Sequence, residues 1–190
     1  MISRRNLLLA ASAFMVAQKA GTAAAHHTKK YKNFKVDPRH KPQMVRFTGY
    51  EAGTIVVDPR NHFLYLVVSP FRARRYGVGV GKAGLRFKGV ASIERKAKWP
   101  SWRPTDNMIR REPRKYARYA KGVPGGPNNP LGARALYLYR GGRDTYYRIH
   151  GTTQPDTIGR SVSNGCIRMV NDHVIDLYER VPLGTKVVVI

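Results

Sequence analysis

The chain has 190 residues, with 35 Lys and Arg against 11 Asp and Glu and a formal net charge of +24. That length accommodates one domain with its own core, and a single cysteine excludes an intramolecular disulfide, so the fold rests on packing. So basic a chain calls for a polyanionic partner, by default nucleic acid, yet it contains no zinc-finger spacing, helix-turn-helix pattern or RNA-binding aromatic motif.

Met1-Ile2-Ser3-Arg4-Arg5 leads into an apolar run that closes on Ala23-Ala24-Ala25. A charged start, a short apolar stretch and small residues before a cleavage point predict a secretory signal peptide over residues 1–25, with an apolar run too short to span a bilayer stably. The arginine pair predicts the twin-arginine export route. Cleavage would remove Arg4, Arg5 and Lys19 and no acidic residue, so the mature chain stays strongly basic. An exported protein meets anionic lipids, phosphorylated polysaccharide and carboxylate-rich wall peptides rather than nucleic acid. The charge therefore predicts adhesion to an anionic envelope surface and steering of acidic substrates.

Residues 26–43 are polar and basic, broken by Pro38 and Pro42, and predict a flexible lead-in without a packed element. His26, His27 and His40 lack the further ligands and fixed spacing of a metal site, so no metal is expected. The domain proper is expected over 44–190. Short apolar or alternating runs predict strands at 44–50, 54–57, 62–68, 76–80 and 90–98, with a turn at Asp58-Pro59-Arg60-Asn61. The glycine series Gly77, Gly79, Gly81 and Gly84 lacks the strand-to-helix setting and the terminal Lys-Ser/Thr of a phosphate loop, which excludes a nucleotide site. Residues 99–130 show no strand pattern and only a helical turn or two within 106–121, interrupted by Pro113. So long an irregular insertion predicts a lid or binding loop, with Trp99, Trp102, Tyr116 and Tyr119 either lining a groove or anchoring the loop. A strand at 135–139, a hairpin-like pair at 146–150 and 166–170, a helix over 171–180 and a strand at 186–190 complete the pattern. Val174, Ile175, Leu177 and Tyr178 give the helix its apolar face, Asn171 or Asp172 is placed to cap it, and His173 is expected at the surface. The many short strands imply a mainly β sandwich or partly closed barrel with a few short helices.

The chemistry concentrates in Tyr146 to Asn171. Strand alternation places Tyr146, Arg148 and His150 on one face, and Cys166 and Arg168 likewise share a face, with Ile149, Ile167 and Met169 opposite. Strands lying side by side would gather Cys166, His150, Arg148 and Arg168 into an electropositive patch, of the kind that lowers a thiol pKa. A thiol nucleophile needs a base within reach, and His150 is the candidate. A structural cysteine, buried as a small hydrophobe, is the competing reading.

His150-Gly151-Thr152, then Ser163-Asn164-Gly165-Cys166-Ile167-Arg168-Met169 and Asn171-Asp172, resemble the motifs of the L,D-transpeptidase catalytic domain family (YkuD-like), enzymes that remodel bacterial peptidoglycan. The resemblance continues upstream through residues 76–82, Trp99-Pro100-Ser101-Trp102, Pro124-Gly125-Gly126-Pro127 and residues 129–134. One departure stands out: Asn164 occupies the place where the family usually has His. The resemblance implies a mainly β, L,D-transpeptidase-type β-sandwich and an exported, periplasmic enzyme that needs no cofactor. Cys166 would be the nucleophile and His150 the general base and acid. Gly165 and Asn164 would offer oxyanion-hole amides, and the Gly151 carbonyl would orient the histidine. Arg168, Arg148, Tyr146 and Ser163 are assigned to substrate binding. Peptidoglycan stem peptides are the expected partners, with envelope proteins as further acyl acceptors; L,D-carboxypeptidase activity and a non-catalytic basic peptidoglycan-binding module are the alternatives.

Overall fold

A computed structural model describes residues 34–83, 85 and 87–190; the signal peptide expected over 1–25 lies outside them, as do residues 26–33 of the lead-in. Eleven strands follow one another along the described chain: β1 (Gln43–Arg46), β2 (Ile55–Asp58), β3 (Phe63–Ser69), β4 (Arg72–Gly77), β5 (Val80–Gly81), β6 (Gly89–Lys98), β7 (Arg134–Arg140), β8 (Arg143–His150), β9 (Ser161–Ser163), β10 (Ile167–Arg168) and β11 (Lys186–Val189). Helices α1 (Asp106–Arg111) and α2 (Pro113–Tyr116) lie in the insertion, and α3 (Asn171–Arg180) follows β10.

Nine strands form one sheet in the order β1-β4-β3-β2-β11-β6-β7-β8-β10, and β5 pairs with β9 in a second. The sheet's two ends approach each other. Past β4, the Gly79 amide donates to the Arg168 carbonyl and the Arg168 amide to the Gly79 carbonyl, at 2.9 and 2.7 Å. Residues from both ends consequently share one core: Ile55, Leu64 and Tyr76 from one side, Leu136, Ile149 and Ile167 from the other. The mainly β fold with a few short helices expected from the strand pattern is the fold observed.

Helix α3 covers β7 and β8. Val170, His173, Val174, Leu177 and Val181 are all buried, a stripe at spacings of three and four that follows the helical period. His173 therefore faces inward beside Tyr76, ring centroids 6.5 Å apart, and the surface position expected from its polarity is corrected. The Asp176 carboxylate ties the helix to β4 by accepting from Arg74 Nε at 2.8 Å and the Tyr76 hydroxyl at 2.7 Å. Lys96, from β6, donates to the carbonyls of Tyr178 and Val181 at 2.6 and 2.7 Å, placing a cation at the negative end of the helix.

Residues 34–43 pack rather than trail as the lead-in reading expects. A 3-10 turn at Pro38–His40 is capped by Asp37, which accepts from the Arg39 amide at 2.8 Å. His40 fills a notch beside Phe63 that exists because Gly77 and Gly159 carry no side chain: a Cβ at either would collide with the ring.

Leu136 on central strand β7 is fully buried in the shared core. Leu136→Ala should lower unfolding free energy by about 2–5 kcal/mol, as read from the denaturation midpoint at unchanged m-value.

Candidate active site

The site is built on a break in β8. Between its pairings Tyr139↔Asp144 and Tyr137↔Arg148, strand β8 uses more residues than β7, and Tyr146 sits in the left-handed region at φ +61. Asp144 holds this bulge. Its carboxylate accepts from the Tyr146 amide at 2.8 Å and from both terminal nitrogens of Arg148, at 2.7 and 2.8 Å. Thr145 adds a hydroxyl bond to the Leu138 carbonyl at 2.6 Å. The bulge turns the Tyr146 carbonyl toward Cys166, whose thiol donates to it at 3.8 Å. It also aims the Arg148 amide at the sulfur.

Beyond the bulge, β8 runs parallel to β10, with Ile167 opposite Ile149 and Arg168 opposite His150. The expected hairpin-like pair is thus corrected to a parallel one, because residues 151–166 cross over between the two strands. The expected faces hold: Ile149, Ile167 and Met169 enter the core.

Cys166 is partly buried and is the chain's free thiol. The turn before it is closed by Ser163, whose hydroxyl donates to the Cys166 carbonyl at 2.6 Å and accepts from the Gly165 amide at 3.1 Å. Gly165 has φ +125, and a Cβ there would lie 2.5 Å from both the Leu85 carbonyl and the Tyr147 ring. Only glycine fits this turn. Ser163 shapes the turn, so its hydroxyl is engaged with the backbone rather than presented to a ligand, and the Gly165 amide is likewise occupied.

His150 ends β8 and is buried. Its Nδ1 lies 2.5 Å from the Gly151 carbonyl. An acceptor there keeps the proton on Nδ1 and leaves Nε2 with a lone pair. The Gly151 backbone is anchored by its amide bond to the Arg134 carbonyl at 3.0 Å. Asn171, expected as a helix cap, instead turns its side-chain oxygen to the amides of Ala133 and Thr152, at 3.1 and 3.2 Å. It fastens the His150 segment to α3, a role not visible in a one-dimensional pattern.

Burial first, then the positive charge of Arg168, pushes the His150 pKa down to about 3 against the opposing Gly151 bond. Burial pushes the Cys166 thiol up, and the Arg148 amide and the Arg148 and Arg168 charges oppose it. The lowered thiol pKa expected from the basic patch is corrected: the guanidiniums act in the expected direction and desolvation outweighs them. At neutral pH both groups rest uncharged.

The two arginines differ. Arg148 is matched by Asp144 and packed over Tyr137, 4.4 Å from ring centroid, which occupies the fork expected for a substrate carboxylate. Arg168 Nη1 donates to neutral oxygens, Gln154 Oε1 at 3.2 Å and Thr157 Oγ1 at 3.4 Å, so its charge is not cancelled by a salt bridge among the described residues. The Tyr146 ring is exposed and its centroid lies 5.9 Å from the Arg148 guanidinium. Asn164 reaches the insertion: its Oδ1 accepts from Arg111 Nη2 at 2.7 Å and its Nδ2 donates to the Tyr116 hydroxyl at 2.6 Å. Trp102 packs edgewise on Tyr116 and Tyr119, so these aromatics anchor the insertion internally.

The family model described as L,D-transpeptidase catalytic domain (YkuD) matches residues 52–189. The chain belongs to this family. Among curated relatives, "Probable L,D-transpeptidase ErfK/SrfK" of Escherichia coli is 39% identical over 117 residues, covering 60% of this chain and 36% of that protein. The chain therefore spans about a third of that relative's length. "Putative L,D-transpeptidase YqjB" of Bacillus subtilis is 35% identical over 138 residues, 71% of this chain and 69% of that one. A crystal structure from Brucella melitensis, described as a "Probable carnitine operon oxidoreductase caia", is 59% identical with TM-score 0.57, covering 82% of this chain and 96% of that one. The activity in that description, of a different class, is a statement about that protein. L,D-transpeptidase 3 from Mycobacterium tuberculosis shares the fold at 13% identity and TM-score 0.54, over 72% of this chain and 60% of that one.

Because the folded state holds His150 well below its ordinary value of 6.5, the unfolded chain binds more protons between pH 6.5 and about 3, and stability should fall as pH drops through that window. His173, pushed by burial to about 4, acts with the same sign. Denaturation midpoints plotted against pH should therefore decline less steeply for His150→Gln than for wild type; parallel curves would contradict the burial of a neutral imidazole.

Proposed function

We propose that the protein is a cysteine-dependent peptidoglycan L,D-transpeptidase, a reading supported above all by the parallel pairing that sets Arg168, two residues past Cys166, opposite His150. His150 Nε2 takes the Cys166 proton as the sulfur attacks the carbonyl of the L-centre of the third stem-peptide residue. The C–N bond to the terminal D-alanine breaks, its amine leaves with the proton held by His150, and a thioester remains on Cys166. An acceptor amine then attacks the thioester; His150 receives the amine proton and returns it to the departing sulfur. The base is unprotonated at neutral pH, and charge develops only during attack.

The Gly165 amide is occupied by Ser163, which leaves the Cys166 amide, with that of Asn164, as oxyanion donors. Arg168 is the cation for a substrate carboxylate; Arg148 and Ser163 act by holding the bulge and the turn. No cofactor or metal enters the route. The acceptor can be a neighbouring stem peptide, giving a cross-link, or an envelope-protein amine, and water would give L,D-carboxypeptidase activity. Residues 1–25 are read as the signal that exports the chain to the periplasm, where its positive charge keeps it on the anionic wall.

Intact-mass measurement after incubation with a carbapenem tests the proposal, because its strained lactam carbonyl should trap the activated thiol. A single adduct is expected on wild type and none on Cys166→Ala. No adduct on folded wild type, together with no D-alanine released from tetrapeptide stems, would favour the non-catalytic wall-binding module.

A further inference from the structure

We infer that Asn164 is a positioning residue that latches the basic insertion to the loop carrying Cys166, and that this latch sets the rate of thioester formation. The inference rests on the proposed function and adds a role for a side chain whose backbone alone that mechanism uses.

Arg111 has donors only, so the Asn164 amide must turn its oxygen to Arg111 and its nitrogen to the Tyr116 hydroxyl. Both bonds are short, at 2.7 and 2.6 Å, and both partners belong to the insertion, fifty-three and forty-eight positions away in the chain. The insertion can act as a rigid support. Trp102 and Val123 exchange backbone bonds at 2.9 and 2.6 Å, closing the segment at its neck. Asn129 Nδ2 fastens the carbonyls of Val123 and Pro124 at 3.0 and 2.9 Å. The Trp102 ring packs against Tyr116 and Tyr119, fixing the residues that hold Asn164.

At the other end of the latch, Gly165 has no side chain and a left-handed backbone. The peptide planes between Ser163 and Cys166 are thus set by the Ser163 hydroxyl on one side and by the Asn164 amide on the other. The amides of Asn164 and Cys166 must lie near 3 Å from the developing oxyanion to stabilise it, and small misplacement of such groups costs up to about 100-fold in rate. Residues 103–121 also carry seven Lys and Arg against two acidic residues, so the latched insertion brings a cationic wall beside the nucleophile, suited to a carboxylate-bearing peptide.

Acylation by a carbapenem, followed by stopped-flow over a concentration series, separates the maximal acylation rate from apparent affinity. Tyr116→Phe and Arg111→Ala should each lower the maximal rate about 3–10-fold, with apparent affinity changed less than about twofold and thermal midpoints close to wild type. Arg111→Lys should recover much of the rate. The double variant Asn164→Ala/Tyr116→Phe should be no slower than Asn164→Ala alone, because both break one unit. Wild-type rates in well-folded Tyr116→Phe and Arg111→Ala, or additive losses in the double variant, would overturn the latch while leaving the proposed function intact. An unreactive wild type would instead remove the reading on which the latch depends. Should Asn164→Ala fail to fold, the comparison of Tyr116→Phe, Arg111→Ala and Arg111→Lys decides the matter.

Discussion

The contact between Ile149 and Ile167 is the constraint on which the site depends. These residues are Cα partners in the parallel pair β8 and β10, and both are buried in the shared core. Strand side chains alternate between faces, so a slip of one residue would turn the isoleucines outward and carry the neighbours of Cys166 inward. Burial of two apolar side chains thereby fixes the register that sets Arg168 across from His150. The core thus specifies the chemistry without touching it.

Desolvation then sets the resting state of the polar face. His150 and Cys166 both lie where water is scarce, which favours the neutral form of each, and the same two guanidiniums oppose a charged imidazole while favouring a charged sulfur. An ion pair at rest is disfavoured, and charge is deferred to the moment of attack in the proposed reaction. Asp144 has an indirect part in this balance. By matching Arg148 and accepting from the Tyr146 amide, it maintains the bulge that presents one backbone carbonyl and one amide to the sulfur.

Local patterns made much of the architecture legible. Alternation and β-branched runs marked β2, β3, β6, β7 and β11 to within a residue or two, because each has at least one buried face. Helix α3 ran over the expected 171–180, since its stripe of apolar residues follows the helical period. His173 departs from its expected surface position because it falls in that stripe, and the helical period carries a polar ring inward beside Tyr76. The bulge at Tyr146 has no signature in strict alternation, because a left-handed residue in the middle of a strand is stabilised by the Asp144 and Thr145 side chains.

The sequence by itself determined that Cys166, His150 and two arginines could share a sheet face, and its motifs identified the family. Such information is local, carried by residue type and by a period of two. Only the tertiary structure decided that the pair is parallel, that Asp144 claims Arg148, that Asn171 secures the His150 segment, and that Asn164 reaches across to Arg111 and Tyr116. Those choices arise from the closing of the sheet and the docking of the insertion. They depend on distances between residues far apart in the chain, and on how much water each group loses when they meet.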